Sequence, residues 1–168
     1  MALFASWGHA MKILVVYYSR NGHTGRMAKE IARRCGADVD AIRELQSDDD
    51  SFWSRWRTRW QTVTHAQPTL HMARFNPAKY DLVIIGTPLS RMGLAPAVRS
   101  YVAQQRDRIK QVAFFCVEGA EADQRAFSEL ERVCGKRPVA TFCVRREGLP
   151  PIAHNDSLTD FMNELGPE

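Results

Sequence analysis

The sequence predicts a three-layer α/β fold, in which helices cover both faces of a doubly wound parallel sheet. Apolar runs of strand length alternate along the chain with segments whose apolar residues recur at helical spacing. One run, Leu82 to Ile85, is apolar throughout, which is typical of a strand buried on both faces. Alternation of this kind favours parallel strands joined by crossover helices.

Each element has a local reason. The apolar runs predict strands at 12–18, 39–43, 81–86, 111–117 and 139–144. Helical spacing and capping residues predict helices at 24–34, 95–106, 122–134 and 158–165. Gly36 and Gly135 follow two of these helices as C-terminal caps, and Pro96 suits the first turn of another. We expect an N-terminal extension at 1–11 and a single domain at 12–168.

Composition limits the class of protein. Hydrophobic residues make up 45% and charged residues 25% of the 168, which is ordinary for a soluble globular protein. The net charge of +4 comes from scattered basic residues, so we expect no nucleic-acid partner. No apolar stretch reaches the roughly 20 residues that a membrane span needs.

The four cysteines contain no C-x-x-C pair, and the five histidines have no metal-ligand spacing, so no metal site is expected. Cys116 and Cys143 lie in apolar runs, where a free cysteine behaves as a small hydrophobic residue. We therefore expect four reduced cysteines and a cytoplasmic protein.

An aromatic stripe interrupts the alternation. Trp53, Trp56 and Trp60 recur on one face of a predicted helix, with arginines between them. The favoured interpretation is an amphipathic helix that buries its tryptophans on the domain or on a second subunit, which would make a homo-oligomer. The alternative is an aromatic wall beside a planar ligand, or a docking surface.

A short polar loop joins the first strand to the first helix. Ser19, Asn21 and Thr24 offer side-chain donors, and Gly22 allows a tight turn. The N–H groups of a helix start and a cation from Arg20 or Arg26 would neutralise a phosphate monoester. The alternative is a plain helix cap, but six consecutive polar or small residues exceed what a cap needs.

Two further loops follow the third and fourth long strands, at the sheet edge where ligands bind in such folds. The loop at 86–94 is made rigid by Pro88 and could present Leu89 and Met92 to a planar ring. The loop at 117–122 contains Gly119 and Ala120, which permit close approach of a ligand edge. Ordinary strand-to-helix connections remain the alternative for both.

Together these segments resemble the flavodoxin-like family. The resemblance is carried by Ser-Arg-Asn-Gly-His-Thr at 19–24, Tyr-Asp-Leu-Val-Ile-Ile-Gly-Thr-Pro at 80–88 and Phe-Phe-Cys-Val-Glu-Gly at 114–119. It implies a five-stranded sheet of order 2-1-3-4-5 and non-covalently bound flavin mononucleotide (FMN). The residues that it assigns to FMN are Ser19, Arg20, Asn21, Gly22, His23 and Thr24 at the phosphate, Thr87, Pro88, Leu89, Ser90, Arg91, Met92 and Gly93 beside the ring, and Glu118, Gly119 and Ala120 at its pyrimidine edge.

The chain departs from the family pattern at two places. The second loop lacks the aromatic residue that often stacks on the ring, which predicts weaker binding by about 1 kcal/mol or more. The third loop carries Glu118 and Glu121, and a carboxylate near the ring would lower the flavin potential.

The resemblance implies an FMN-dependent redox protein that carries electrons between a reductant and a partner protein or small acceptor. No catalytic side chain is then required. One alternative is an NAD(P)H-dependent quinone reductase, because 17–24 and 91–93 are also similar to that branch of the family. The other is a flavin-free binding module of the same fold.

Overall fold

A computed structural model of the protein describes residues 11–45, 68–90, 93–117, 123–144 and 156–165, and for 89, 90, 93, 123, 124, 156 and 157 only the backbone. Its strands and helices follow the predicted alternation, with ends that differ by a few residues. They are β1 (Ile13–Tyr17), α1 (His23–Cys35), β2 (Asp38–Ala41), β3 (Leu82–Ser90), β4 (Gly93–Leu94), α2 (Pro96–Gln105), β5 (Gln111–Val117), α3 (Asp123–Cys134), β6 (Thr141–Val144) and α4 (Asp156–Glu164).

Five strands form a parallel sheet in the order β2-β1-β3-β5-β6, and β4 pairs with the end of β3. Leaving out the short β4, this is the predicted order 2-1-3-4-5, which is confirmed. The order reverses direction between β1 and β3, since β2 lies to one side of β1 and all later strands lie to the other. Ligands of doubly wound sheets bind at such a point, beyond the carboxyl ends of the strands.

The end of β3 differs from the prediction. The strand was expected to stop at Gly86 and give way to a loop, but it continues to Ser90 and pairs antiparallel with β4. Gly86 is required by packing rather than by a turn, because a Cβ added there would overlap the ring of Phe115 on the next strand. Residues 86–90 and 93–94 of this segment therefore belong to two antiparallel strands, which we call the hairpin.

Successive residues of each strand point to opposite faces, so the sheet builds two cores. On one face, α1 and α4 cover residues such as Val15, Ile84 and Phe115. On the other, α2 and α3 cover residues such as Leu14, Val83 and Phe114, all fully buried. This explains why Leu82 to Ile85 has no polar position.

The expectation of four reduced cysteines is wrong for two of them. Cys116 and Cys143 form a disulfide, with their Cα atoms 4.6 Å apart, whereas Cys35 and Cys134 are unbonded. The two bonded residues are 27 positions apart in sequence but lie opposite each other in the register of β5 and β6. Hydrophobic periodicity contains no information on that register, which is why it indicated only buried side chains.

Two of the predicted regions distant from the sheet edge lie outside the described residues. These are the tryptophan face of Trp53, Trp56 and Trp60 and most of the N-terminal extension. Among the helices that are described, none combines the length and the apolar character needed to cross a membrane.

Candidate functional site

The loop between β1 and α1 leaves the start of a helix without a side-chain cap. Gly22 occupies the N-cap position in the left-handed conformation, with φ of 83°, and makes no side-chain hydrogen bond to the helix. The first intrahelical bond is donated by the N–H of Arg26 to the carbonyl oxygen of Gly22, at 3.0 Å. The N–H groups of His23, Thr24 and Gly25 precede it and have no intrahelical acceptor. These N–H groups form the positive end of the helix dipole.

Two side-chain atoms of the same loop are shielded from solvent without a partner. Ser19 Oγ and His23 Nδ1 make no hydrogen bond to any of the described residues. A buried polar atom without a partner costs free energy, so such atoms usually serve a ligand or bind water. A plain helix cap would have used a side chain of this kind. The arrangement fits the phosphate of FMN better than it fits an unliganded cap.

Packing holds the loop where the strand order of the sheet reverses, between β1 and β3. The N–H of Tyr18 donates to the carbonyl oxygen of Gly86 at 3.1 Å, which joins the start of the loop to β3. A Cβ on Gly25 would lie 3.1 Å from the ring of Tyr17, so the small residue lets α1 approach the strand closely.

Sequence reasoning missed one neighbour of this loop. The carboxylate of Glu44, a residue that follows β2, lies close to the hydroxyl of Tyr18. Burial of the hydroxyl first, and then the Glu44 charge, raises the pKa of Tyr18 above its usual value, while the charge of Arg20 acts in the opposite direction. Glu44 therefore places a negative charge near the loop. No local pattern could have revealed it, because 26 residues separate the two positions.

The hairpin supplies the second predicted segment. Thr87 is fully buried, and its hydroxyl donates to the carbonyl oxygen of Pro88 at 3.0 Å, so this hydroxyl is used within the chain. Pairing of Leu89 with Leu94 and of Ser90 with Gly93 fixes the backbone of the hairpin. Arg91 and Met92 lie outside the described residues, as do Glu118, Gly119 and Ala120 of the third segment.

The sheet register brings the starting points of the three predicted segments to one edge. Pro88 lies opposite Val117, the last residue of β5, so the chain leaves for the third segment directly beside the hairpin. The first segment leaves β1 on the other side of β3. The strand ends from which the three segments leave are therefore neighbours at the carboxyl edge of the sheet.

Comparison with known proteins identifies the family. The sequence model of the flavodoxin family matches residues 12–142, which is most of the chain. This protein belongs to the flavodoxin family. The resemblance drawn from the loop sequences is therefore confirmed, and the flavodoxin match extends from the start of β1 into β6.

Solved structures agree with the flavodoxin fold. A flavoprotein from Lactobacillus acidophilus, solved in complex with FMN, has a TM-score of 0.67 and 19% identity, and the match covers 79% of this chain and 93% of that one. A candidate flavoprotein from Bacteroides eggerthii has a TM-score of 0.69 and 21% identity, covering 90% and 98%. A flavodoxin from the domain Archaea has a TM-score of 0.51 and 16% identity, covering 92% and 93%.

Proposed function

We propose that this flavodoxin-family protein binds FMN non-covalently and carries electrons between a reductant and a partner protein or small acceptor. The observation that carries the proposal is the uncapped start of α1, beside which Ser19 Oγ and His23 Nδ1 are buried without partners. Other buried polar atoms without partners occur elsewhere, for example at Ser100 on α2, but that residue belongs to none of the three predicted segments. When bound, FMN supplies reversible electron uptake through its ring.

The residues of the first loop would hold the phosphate. The N–H groups at the start of α1 donate to its oxygens, and Ser19 and Thr24 add hydroxyl donors. Arg20 and Arg26 are exposed at the loop and on the first turn, where they supply positive charge. The first turn of α1 contains no acidic residue that would oppose a dianion.

The hairpin and the third loop would position the ring. Antiparallel pairing of β3 with β4 restricts the backbone at 89–90 and 93–94, so little conformational entropy remains to be lost there on binding. We further propose that Glu118 lies near the pyrimidine edge, where its charge disfavours the anionic reduced flavin and lowers the potential. No protein side chain needs to act as an acid or base in this function.

The proposal is tested by removing one hydrogen-bond donor to the phosphate from the protein and, separately, by removing the phosphate from the ligand. Purified protein is titrated with FMN and with riboflavin, and binding is followed by quenching of flavin fluorescence. Ser19→Ala should weaken FMN binding about tenfold, since it removes one hydrogen bond to a charged group. Riboflavin binding should change little, because riboflavin has no phosphate.

Ser100→Ala is the matched control. It also removes a buried hydroxyl without a partner, but on α2, so FMN binding should stay at the wild-type level. If the wild-type protein shows no saturable FMN binding, the proposed function is refuted. Equal weakening of FMN and riboflavin by Ser19→Ala would refute the phosphate assignment alone.

A further inference from the structure

The Cys116–Cys143 disulfide lies one residue before the ends of β5 and β6. Cys116 pairs in register with Thr87 of β3 on one side and with Cys143 of β6 on the other. The three residues form one row across adjacent strands and face the same side of the sheet. The disulfide thus shares a row with the hairpin strand of the proposed FMN site.

The two bonded cysteines differ in exposure. Cys116 is fully buried, whereas Cys143 is half-buried. Cys143 lies on β6, which within the described residues pairs only with β5 and so forms an edge of the sheet. An attacking thiolate therefore reaches Cys143 more readily than Cys116.

The disulfide packs against a helix that also contacts the hairpin. Ala126 and Phe127 of α3 lie on the two cysteines, and Ala126 is fully buried. The Phe127 ring stacks on Phe114 of β5, with centroids 6.2 Å apart. The same helix contacts the short strand Gly93–Leu94. A path of direct packing therefore connects the disulfide to the second segment of the site.

Reduction of the disulfide would require more space between the two sulfur atoms, which lie between the sheet and α3. Bonded sulfurs lie about 2 Å apart, whereas non-bonded heavy atoms need roughly 3.5–4 Å. Because Cys116 and Ala126 have no exposed surface, the extra separation comes from rotation of the half-buried Cys143 side chain or from a shift of β6 or of α3. A shift of α3 changes its packing on the hairpin, and a shift of β6 disturbs the pairing with β5 beside Pro88.

We propose that the Cys116–Cys143 disulfide is a reversible redox centre that controls FMN affinity, which is high in the oxidised form and lower in the reduced form. The proposal rests on the proposed function, since it concerns the same site. Its substrate is a dithiol reductant, and the oxidised reductant leaves as a disulfide.

The reaction balances in two steps. One thiolate of the reductant attacks Cys143 Sγ, the bond between the cysteines breaks, and the sulfur of Cys116 takes up a proton. The second thiolate of the reductant then attacks the mixed disulfide and releases Cys143, which is protonated in turn. Two electrons and two protons pass from the dithiol to the protein.

The test compares FMN affinity in both redox states. The full-length protein is kept oxidised or treated with dithiothreitol, and alkylation in denaturant followed by intact mass counts the thiols. Two alkyl groups are expected before reduction and four after it, because Cys35 and Cys134 are unbonded. The dissociation constant for FMN, from fluorescence titration, should rise about fivefold or more on reduction.

Two variants distinguish reduction of the Cys116–Cys143 bond from other effects of dithiothreitol on FMN binding. Cys143→Ala should bind FMN as weakly as the reduced wild type and should not respond to dithiothreitol. Cys35→Ala, at the end of α1, should keep the wild-type response. If Cys143→Ala does not fold, the two states of the wild-type protein still decide the matter.

Four alkyl groups before reduction, or equal FMN affinity in both states, would overturn the redox centre and leave the proposed function standing. A lost response in Cys35→Ala would also overturn it. If the oxidised protein does not bind FMN, the proposed function is refuted, and so is the control of FMN affinity by the disulfide.

Discussion

Packing against the neighbouring strand explains why position 86 is a glycine. Phe115 lies directly opposite in register and is fully buried, and its ring occupies the space that a side chain on Gly86 would fill. The polypeptide therefore combines a glycine with a continuous strand, although glycine commonly marks a turn. The large ring and the missing side chain form one packing unit.

We expect Gly86→Ala to lower the free energy of unfolding by about 2 kcal/mol, because the added methyl group overpacks the core. Urea unfolding followed by far-UV circular dichroism measures the change. In a Phe115→Leu background, which removes the ring, the same substitution should cost clearly less. An equal cost in both backgrounds would show that the ring is not the cause.

Helix α1 carries a small charge network on its outer side. Glu30 accepts hydrogen bonds from Arg33 at 2.7 Å and 3.0 Å and from Arg34 at 2.8 Å. The hydrogen bond from Arg33, followed by that from Arg34, outweighs partial burial and lowers the pKa of Glu30 to about 2. These pairs stabilise the half of the helix farther from the proposed phosphate site.

The network should stabilise the protein in a defined pH range. Because the folded-state pKa is below the unfolded value of 4.5, the stabilisation is fully present above pH 4.5 and disappears as the pH falls towards about 2. Glu30→Gln should lower the free energy of unfolding at pH 7 by up to about 1 kcal/mol, with the deficit shrinking at pH 3. Urea unfolding at both pH values measures this.

Glu164→Gln on α4 is the control, because Glu164 is exposed and belongs to a different helix. It should change the free energy of unfolding by less than Glu30→Gln does at pH 7. A Glu30→Gln deficit that is the same at pH 7 and pH 3 would contradict the assigned pKa.

Elements far apart in sequence are also held together by one buried carboxylate. Asp40 of β2 accepts hydrogen bonds from the N–H groups of Arg74 and Phe75, at 2.8 Å and 3.4 Å. It is only 5% exposed, and its charge adds to burial in raising the pKa of Tyr101 on α2 above the usual value. This contact anchors the chain before β3 on the edge strand, which no periodicity indicated.

For the whole molecule, the sequence was sufficient wherever structure depends on neighbours along the chain. The strand from Ile13 and the buried run Leu82 to Ile85 predicted the sheet, because two-sided burial excludes polar residues. The polar loop from Ser19 to Thr24 was visible for a similar reason, since strand, loop and helix start follow one another directly. Family resemblance supplied the strand order, which periodicity does not contain.

What the sequence left open depends on register between distant segments. The hairpin at Leu89–Leu94 was missed because Gly86 and Pro88 indicate a loop when the Phe115 ring is not in view. The Cys116–Cys143 bond and the Tyr18–Glu44 contact join positions brought together only by strand pairing. The contacts of the second and third segments with the flavin ring accordingly remain predictions, and so does the cytoplasmic location.

Loss of the disulfide should be measurable in the stability of the whole fold. The disulfide closes a loop of 27 residues, which restricts the unfolded chain and stabilises the folded protein by about 3.5 kcal/mol. Reduced wild-type protein should therefore unfold at lower urea concentration than oxidised protein, without added FMN. Coincident unfolding curves would show that the bond is absent in solution.

The glycine N-cap of α1 has a consequence for the protein without its cofactor. Most helices begin with a side chain that satisfies their first N–H groups, at a gain of about 1 kcal/mol. Here that role would pass to the phosphate of the bound nucleotide, so the first turn gains its cap only when the ligand arrives. Amide protons of His23 to Gly25 would then exchange rapidly in the apoprotein and slowly in the holoprotein. The nucleotide would complete a helix as well as occupy a site.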